Sequence, residues 1–456
     1  MLMSIVLAAG AGTRMRSKLP KVLHKVAGVS MIEHVLDIVE HVDCNKKVVV
    51  IGHGADEVKK AIEHRDAQFV LQSERLGTGH AVMQAEKEIP EKGDVIVLYG
   101  DTPLIREESL EEFIKFHKDN DFAASVLTTN IEDPTGYGRI IRNDEDRVMA
   151  IIEEKDSSKE QKLIKEINSG IYCFKAKDLK QSLSKLDNKN SQGEYYITDI
   201  IGILNDENKK VSAFKLEDNT EIMGVNSRSQ LAEAEGIMKK RILNKLMDNG
   251  VTIIDPNSTY VGKDVKIERD TVLYPGTFIT GETVIGEDCI IGPDARIEDS
   301  ILKDNIEIRN STILQSKIDS NTKVGPYAYL RPNSDLGKNV KIGDFVEVKN
   351  SKIGDNSKAS HLSYIGDGEV GKNVNIGCGV VFVNYDGKNK NRTIVEDNAF
   401  VGCNVNLVAP VTIKKNAYVA AGSTITKEVS EESLAVARIK QSNIEGWVRR
   451  KGLVKE

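Results

Sequence analysis

Two rhythms of apolar and polar positions divide this chain. Up to about residue 226, short apolar runs alternate with amphipathic stretches. Residues 5–9, 48–52, 69–71 and 94–99 predict strands, and residues 30–42 predict a helix capped by Ser30. Val48-Val49-Val50-Ile51 and Val95-Ile96-Val97-Leu98 are apolar throughout instead of alternating, which suits a parallel sheet covered by helices on both faces. An α/β domain of this Rossmann-like kind takes its ligands at the carboxyl ends of the strands.

Over residues 227–249, Leu231, Ala234, Met238, Ile242 and Leu246 recur at helical spacing, and Gly250 supplies a stop. At 1.5 Å per residue such a helix spans roughly 30 Å. It reads as an arm (229–249) joining domains at 1–228 and 250–456, or as an ordinary last helix of the first domain.

Beyond residue 250 the period becomes six. Val261, Ile267, Leu273, Ile279, Ile285, Ile291 and Ile297 fall on one grid, Ile318, Val324, Leu330, Leu336, Ile342 and Val348 on a second, and Val395, Val401, Leu407, Ile413, Val419 and Ile425 on a third. Such a period fits a β-solenoid, a prism of short parallel strands with one aliphatic residue per face pointing inward. The grid breaks between Phe382 and Val395, where residues 384–392 are polar and basic. An insertion into a stacked repeat is expelled as a loop, either functional or merely tolerated.

Composition narrows the function classes. The chain has 456 residues, room for two to four cores. Lys plus Arg number 63 against 69 Asp plus Glu, a net charge of −6 that offers nucleic acid no general attraction, so an anionic substrate needs local cations. No apolar stretch approaches the roughly 18 residues of a membrane span, and the run at 5–9 is too short for a secretion signal. No membrane partner and a cytoplasmic location are the expectation. Cys44, Cys173, Cys289, Cys378 and Cys403 stand at long spacings with no CxxC pair, which reads as free thiols.

Chemistry concentrates at the predicted strand ends. Leu7-Ala8-Ala9-Gly10-Ala11-Gly12-Thr13-Arg14-Met15 follows the first strand, where small residues admit a phosphate or base to the backbone N–H groups and Arg14 adds a cation; Lys21 adds a second. Tyr99-Gly100-Asp101 ends a buried strand and offers a hard oxygen to magnesium, although a turn aspartate looks the same. Gln72 and Leu76-Gly77-Thr78-Gly79 follow another strand, with a primary amide able to read a base. Asp133-Pro134-Thr135-Gly136-Tyr137-Gly138-Arg139, Glu153-Glu154-Lys155 and Asn168-Ser169-Gly170 are polar clusters suited to sugar-reading loops or turns. In the prism, Arg331, Glu347, Lys349, His361, Tyr364, Asn375, Asn384 and Tyr385 lie close to the grid, and His361 sits where the six-residue spacing slips.

Together with Gln192 to Asp199 and Gly224-Val225-Asn226, these motifs resemble the family of bifunctional enzymes that make UDP-N-acetylglucosamine, and the likeness covers essentially the whole chain. The resemblance implies a uridylyltransferase domain, a helical arm and a left-handed parallel β-helix of hexapeptide repeats with acetyltransferase activity, assembled as a homotrimer. It implies UTP and N-acetylglucosamine 1-phosphate at the first site, and acetyl-CoA and glucosamine 1-phosphate at the second. Asp101 and Asn226 would hold Mg2+. Leu7, Ala8, Ala9, Gly10, Gln72, Gly77 and Thr78, with Tyr99 and Gly100, would bind the uridine part, and Gly138, Glu153 and Asn168 the sugar, while Lys21 and Arg14 would steady phosphate charge.

In the prism His361 would accept the proton of the substrate amine, Glu347 would orient the imidazole, Arg331 and Lys349 would bind the sugar phosphate, and Tyr364 and Asn375 would read the sugar. Asn384, Tyr385, Cys378, Cys403, Ala421 and Arg438 would contact acetyl-CoA. Three positions depart from the family pattern: Ala11 for lysine, Cys378 for alanine and Cys403 for serine. Two other readings remain open: a nucleotidyltransferase with a silent, oligomerising prism, and a regulatory subunit with degenerate pockets.

Overall fold

The apolar runs near the start of the chain lie side by side. β1 (Leu2–Ala8) is flanked by β2 (Lys46–Ile51), which carries β3 (Gln68–Leu71) on its outer edge, and by β4 (Asp94–Tyr99); all four are parallel. Both faces are covered, because Val48, Val50, Val95 and Val97 join one core while Val49, Ile96 and Leu98 join the other. That division explains why these strands read as unbroken apolar runs. The crossovers carry α1 (Met31–His41), α2 (Ala55–Ala61) and α3 (Thr78–Gln84). Ser30 and Glu33 form a capping box at the start of α1, with Ser30 N donating to Glu33 Oε2 at 3.2 Å.

The rest of this layer consists of α4 (Glu107–Asp119), β5 (Ala124–Asn130), β6 (Arg139–Arg142), β7 (Val148–Ile152), β8 (Glu166–Lys175), α5 (Ala176–Leu183), α6 (Asp199–Asp206) and β9 (Val211–Leu216). The sheet order is β9-β5-β8-β4-β1-β2-β3, with β6 pairing β8 and β7. Here the expectation of a parallel sheet gives way to a mixed one, since β8 runs antiparallel to both β4 and β5. Strand direction leaves no mark on the hydropathy pattern when both faces are buried in either case.

Residues 1–454 are described by this computed structural model, and the chain divides into two units between Lys239 and Lys240. That division falls inside α7 (Arg228–Asp248). The early part of the helix packs Leu231, Ala234 and Met238 with Val26, Met31, Leu104 and Val225. Its late part puts Leu243 and Leu246 into the core of the second unit beside Val251 and Ile253.

In the second unit every ladder is parallel and the strands fall into three sheets of eleven, ten and nine, so each face stacks on itself one coil later. Val261 lies opposite Ile279, Ile285 opposite Leu302, and Ile297 opposite Ile313. The first and second grids are therefore continuous: hexads shortened by one residue carry the buried column through Leu302, Ile308 and Ile313. Asparagines in left-handed backbone mark one corner, and their side chains bond from coil to coil, Asn339 to Asn356, Asn356 to Asn373, Asn373 to Asn398 and Asn398 to Asn416, at 3.0–3.2 Å. The polar segment after Phe382 leaves the prism as a loop closed by a bridge between Tyr385 and Lys390, and Ile376 resumes pairing with Val401.

Candidate active sites

At the carboxyl end of the first sheet, a cavity of about 250 Å3 is lined by Leu7, Ala8, Ala9, Gly10, Lys21, Gln72, Gly77, Thr78, Tyr99 and Asp101. β1, β3 and β4 and the loops that follow them deliver these residues to one edge, as the sheet topology requires. Gln72 is buried and donates to the Gly77 carbonyl at 3.1 Å, which fixes its amide. Gly12 has φ of 59°, and a Cβ there would stand 2.7 Å from Lys21 Cβ, so glycine is what lets the loop close over Lys21. Arg75 and Glu194 also line the cavity; Glu194 lies within the motif at 192–199, whereas no motif marked Arg75. Arg14 lies outside it, exposed on a short 3-10 turn at Thr13–Met15.

Asn226 reaches this site from the end of the unit, because Val225 N donates to the Asp101 carbonyl at 2.9 Å. Lys21 Nζ pairs with Asp101 and lies 3.1 Å from Asn226 Oδ1. The Asp101 and Asn226 oxygens thus converge on a point that already holds a cation. A pair of hard oxygens of this kind suits a divalent cation. Among the described residues no group of three or more His, Cys, Asp or Glu is gathered for a metal, so substrate oxygens would be part of any such site.

Gly138, Glu153 and Asn168 come together a little further along the edge. A Cβ on Gly138 would lie 3.5 Å from Asn168 Cβ and 3.6 Å from Glu153 Oε1. Asn168 Nδ2 donates to Tyr172 Oη at 2.7 Å, and Thr198 Oγ1 donates to Glu153 Oε1 at 3.2 Å. Burial pushes the Glu153 carboxyl above the usual range. Beneath them Arg139, 1% exposed, holds Glu154 at 2.7 Å and the Tyr137 carbonyl, pinning the two loops that carry Gly138 and Glu153.

In the prism, His361 Nδ1 shares a 2.6 Å hydrogen bond with Asp344 Oδ1. This corrects the expectation that Glu347 orients the imidazole. The ladder places Asp344 directly opposite His361, whereas Glu347 stands opposite Tyr364 on the next face and accepts from Arg331 Nη1 at 2.8 Å. The signal was present in the sequence as a carboxylate one coil, 17 residues, before the histidine. The imidazole bond holds the Asp344 carboxyl below its usual range.

Lys349 Nζ lies 3.9 Å from Asp367 Oδ2, and Asn384 donates to the same oxygen at 2.5 Å, so Asn384 and Lys349 share one carboxylate partner. Lys390, on the inserted loop and unmarked by the motifs, faces Lys349, and that second ammonium pushes its own below the usual lysine range. Two facing ammonium groups suit an anion. Tyr385 is exposed and donates to the Gly387 carbonyl at 2.7 Å. Asn375 begins the strand opposite Lys358, on the face that ends near His361. Cys378, Cys403 and Ala421 continue one corner upward coil by coil, through Asn404 N to Cys378 O at 2.7 Å and Gly422 N to Cys403 O at 2.8 Å; Arg438 passes over Gly422.

Fold and sites define a nucleotidyltransferase joined to a hexapeptide-repeat transferase. The nucleotidyl transferase family model matches residues 3–234 and the bacterial transferase hexapeptide (six repeats) model matches residues 392–427. The chain is similar along its full length to the bifunctional protein GlmU of Alkaliphilus metalliredigens, 57% identical over 455 residues, and to that of Alkaliphilus oremlandii, 59% identical over 455 residues, each covered completely. The GlmU of Clostridioides difficile is 56% identical across 98% of this chain and 97% of its own. The chain belongs to the bifunctional GlmU family, and it is an enzyme with both nucleotidyltransferase and acyltransferase activity. No helix among the described residues is long and apolar enough to cross a membrane.

Proposed function

We propose that each unit carries one reaction: acetyl transfer from acetyl-CoA to glucosamine 1-phosphate in the prism, then uridylyl transfer from UTP to N-acetylglucosamine 1-phosphate, with release of pyrophosphate, in the α/β unit. The observation that carries this reading is the Asp344–His361 pair, a proton acceptor held by a carboxylate, on coils whose next face leads to cationic Arg331 and Lys349, with Lys390 facing Lys349.

The substrate amine is protonated at neutral pH and becomes a nucleophile only on losing that proton, which His361 takes while Asp344 fixes its ring. Arg331 and Lys349 hold the sugar phosphate, Tyr364 and Asn375 read the sugar, and the corner of Cys378, Cys403 and Ala421 receives the coenzyme with Arg438, Asn384 and Tyr385. In the α/β unit the attacking phosphate is already ionised, so the protein needs no base there, only alignment and cations. Leu7 to Gly10, Gln72, Gly77 and Thr78 hold the uridine part, Tyr99 and Gly100 wall the site, Gly138, Glu153 and Asn168 hold the sugar, and Lys21 and Arg14 offset phosphate charge. Asp101 and Asn226 would hold Mg2+, which, when bound, neutralises charge on the phosphates.

α7 is assigned as the linker of domains 1–228 and 250–456, and the cytoplasm as the location. A homotrimer is supported by an exposed apolar corner, where Tyr327 (59% exposed), Phe345 (57%) and Leu362 (56%) follow one another in left-handed backbone and the two rings stack at 5.4 Å. Bulky residues are rare in that conformation, and water gives them no reason to be there. Two assays test the division of labour: His361→Ala abolishes CoA release and leaves pyrophosphate release nearly intact, and Asp101→Ala does the reverse. Loss of both reactions from either folded variant would defeat the scheme.

A further inference from the structure

Gly343, Gly377 and Gly402 are glycines of close coil packing: a Cβ on each would meet backbone atoms of the next coil, at Ser360, Gly402 and Ala421 respectively. Gly366 is different. It ends the strand Tyr364–Gly366, its φ lies outside the left-handed region, and the three atoms nearest to a Cβ there all belong to the side chain of Tyr364, two residues earlier. That Cβ would fall 2.6 Å from Tyr364 Cζ and 2.8 Å from Cε1, with the hydroxyl oxygen nearer still. The tyrosine therefore does not stand straight out from its face. It lies back along its own strand, and the far end of its ring fills the place a side chain at 366 would take.

Register shows that the gap is local. Residues i and i+2 of a strand share a face, so Tyr364 and Gly366 both point outward. In the column to which Gly366 belongs, Thr280, Glu298 and Leu314 pair in turn on lower coils, Lys349 pairs with Gly366 itself, and Val383 pairs with Val408 higher up. All of these carry side chains. Glycine weakens a strand and marks a place where something must come close, and here that is the ring. The ring's course brings its hydroxyl to the level of Lys349 and to the corner at Asp367, which takes Lys349 at 3.9 Å and Asn384 at 2.5 Å. The same oxygen acts on the charges of Arg331 and Lys390, so it sits among the cations of the site.

We propose that Gly366 is a positioning residue for the prism reaction: by leaving its own place empty it lays the Tyr364 ring along the strand and sets the hydroxyl among Lys349, Arg331 and Lys390, where the amino-sugar phosphate is held. The proposal rests on the assignment of Tyr364 to that substrate. A side chain at 366 would turn the ring out toward solvent and leave the backbone where it is, because the atoms in its way are the end of a side chain and not a neighbouring coil.

The test is a double-mutant cycle on the full-length protein with Tyr364→Ala, Gly366→Ala and the two combined, read by CoA release at saturating acetyl-CoA. Tyr364→Ala should raise KM for glucosamine 1-phosphate by about tenfold with kcat little changed. Gly366→Ala should raise it to a similar extent and leave KM for acetyl-CoA alone. In the Tyr364→Ala background it should add nothing, whereas independent losses would multiply to about a hundredfold. The double variant should also unfold on heating no earlier than Tyr364→Ala. Losses that multiply, a double variant that unfolds earlier, or unchanged KM in Gly366→Ala beside an impaired Tyr364→Ala would each overturn the proposal. If Tyr364→Ala itself left KM unchanged, the assignment of Tyr364 to the substrate would fall and take the proposal with it.

Discussion

The α/β unit and the prism gather their site residues by opposite routes. In the first, Lys21 meets Asn226 from 205 positions away, and residues after three different strands converge because parallel crossovers return each strand end to the same edge. In the second, Asp344 and His361 are 17 positions apart, as are Lys338 and Asp355, Asn350 and Asp367, and Asn356 and Asn373. One site is addressed by topology, the other by a period. A change of backbone in the prism should therefore act along a column, whereas a change in the α/β unit should act through one edge.

The largest effect expected is that of Gly343→Ala. A Cβ there would lie 1.9 Å from the Ser360 carbonyl oxygen, between the coils that carry Asp344 and His361. The backbone must shift, at a cost of at least about 3 kcal/mol. CoA release should vanish and the prism should unfold early on heating, while pyrophosphate release persists; loss of pyrophosphate release as well would break the contrast between the two regions.

Asp344→Asn should follow, lowering kcat of acetyl transfer by up to about 100-fold and changing its pH profile, because the ring loses its charged partner. Glu347→Gln should instead raise KM for the sugar phosphate by freeing Arg331. If Glu347→Gln gave the larger loss of kcat, the columnar account of this corner would be wrong.

The smallest effect concerns Asp199, at the start of α6, whose carboxyl is pushed up to about 6 mainly by burial. The folded chain keeps this proton at pH values where the unfolded chain has lost it, so its contribution to stability falls as pH rises from about 4 to 6 and stays low above that. Asp199→Asn should stabilise the α/β unit by on the order of 1 kcal/mol at pH 7.5, after allowance for solvent, and by almost nothing at pH 4. Thermal unfolding at both pH values measures it.

Much of this was legible in the residues themselves. The prism was written in its aliphatic grid, since the buried column of short parallel strands favours aliphatic side chains and admits few others, Phe382 among them, and the strand-end glycines and Asp101 marked the first cavity. What escaped notice did so for physical reasons. β8 is buried on both faces whichever way it runs. Arg75 is a single charged side chain outside any motif, and Glu194, though inside the motif at 192–199, shows its place only once the fold brings it to the cavity. Asp344 was missed because Glu347 lies closer in sequence to His361, and nearness along the chain is the wrong measure in a structure where register decides.

The shortened hexads have one further consequence. Coils of 16, 17 and 18 residues alike deliver their side chains to the same three edges, so the stack can gain or lose whole storeys without disturbing those above. The coils from Thr252 to Ile318 contribute none of the residues assigned to acetyl transfer. They form a plinth, and its height is free to vary while the chemistry on top stays fixed.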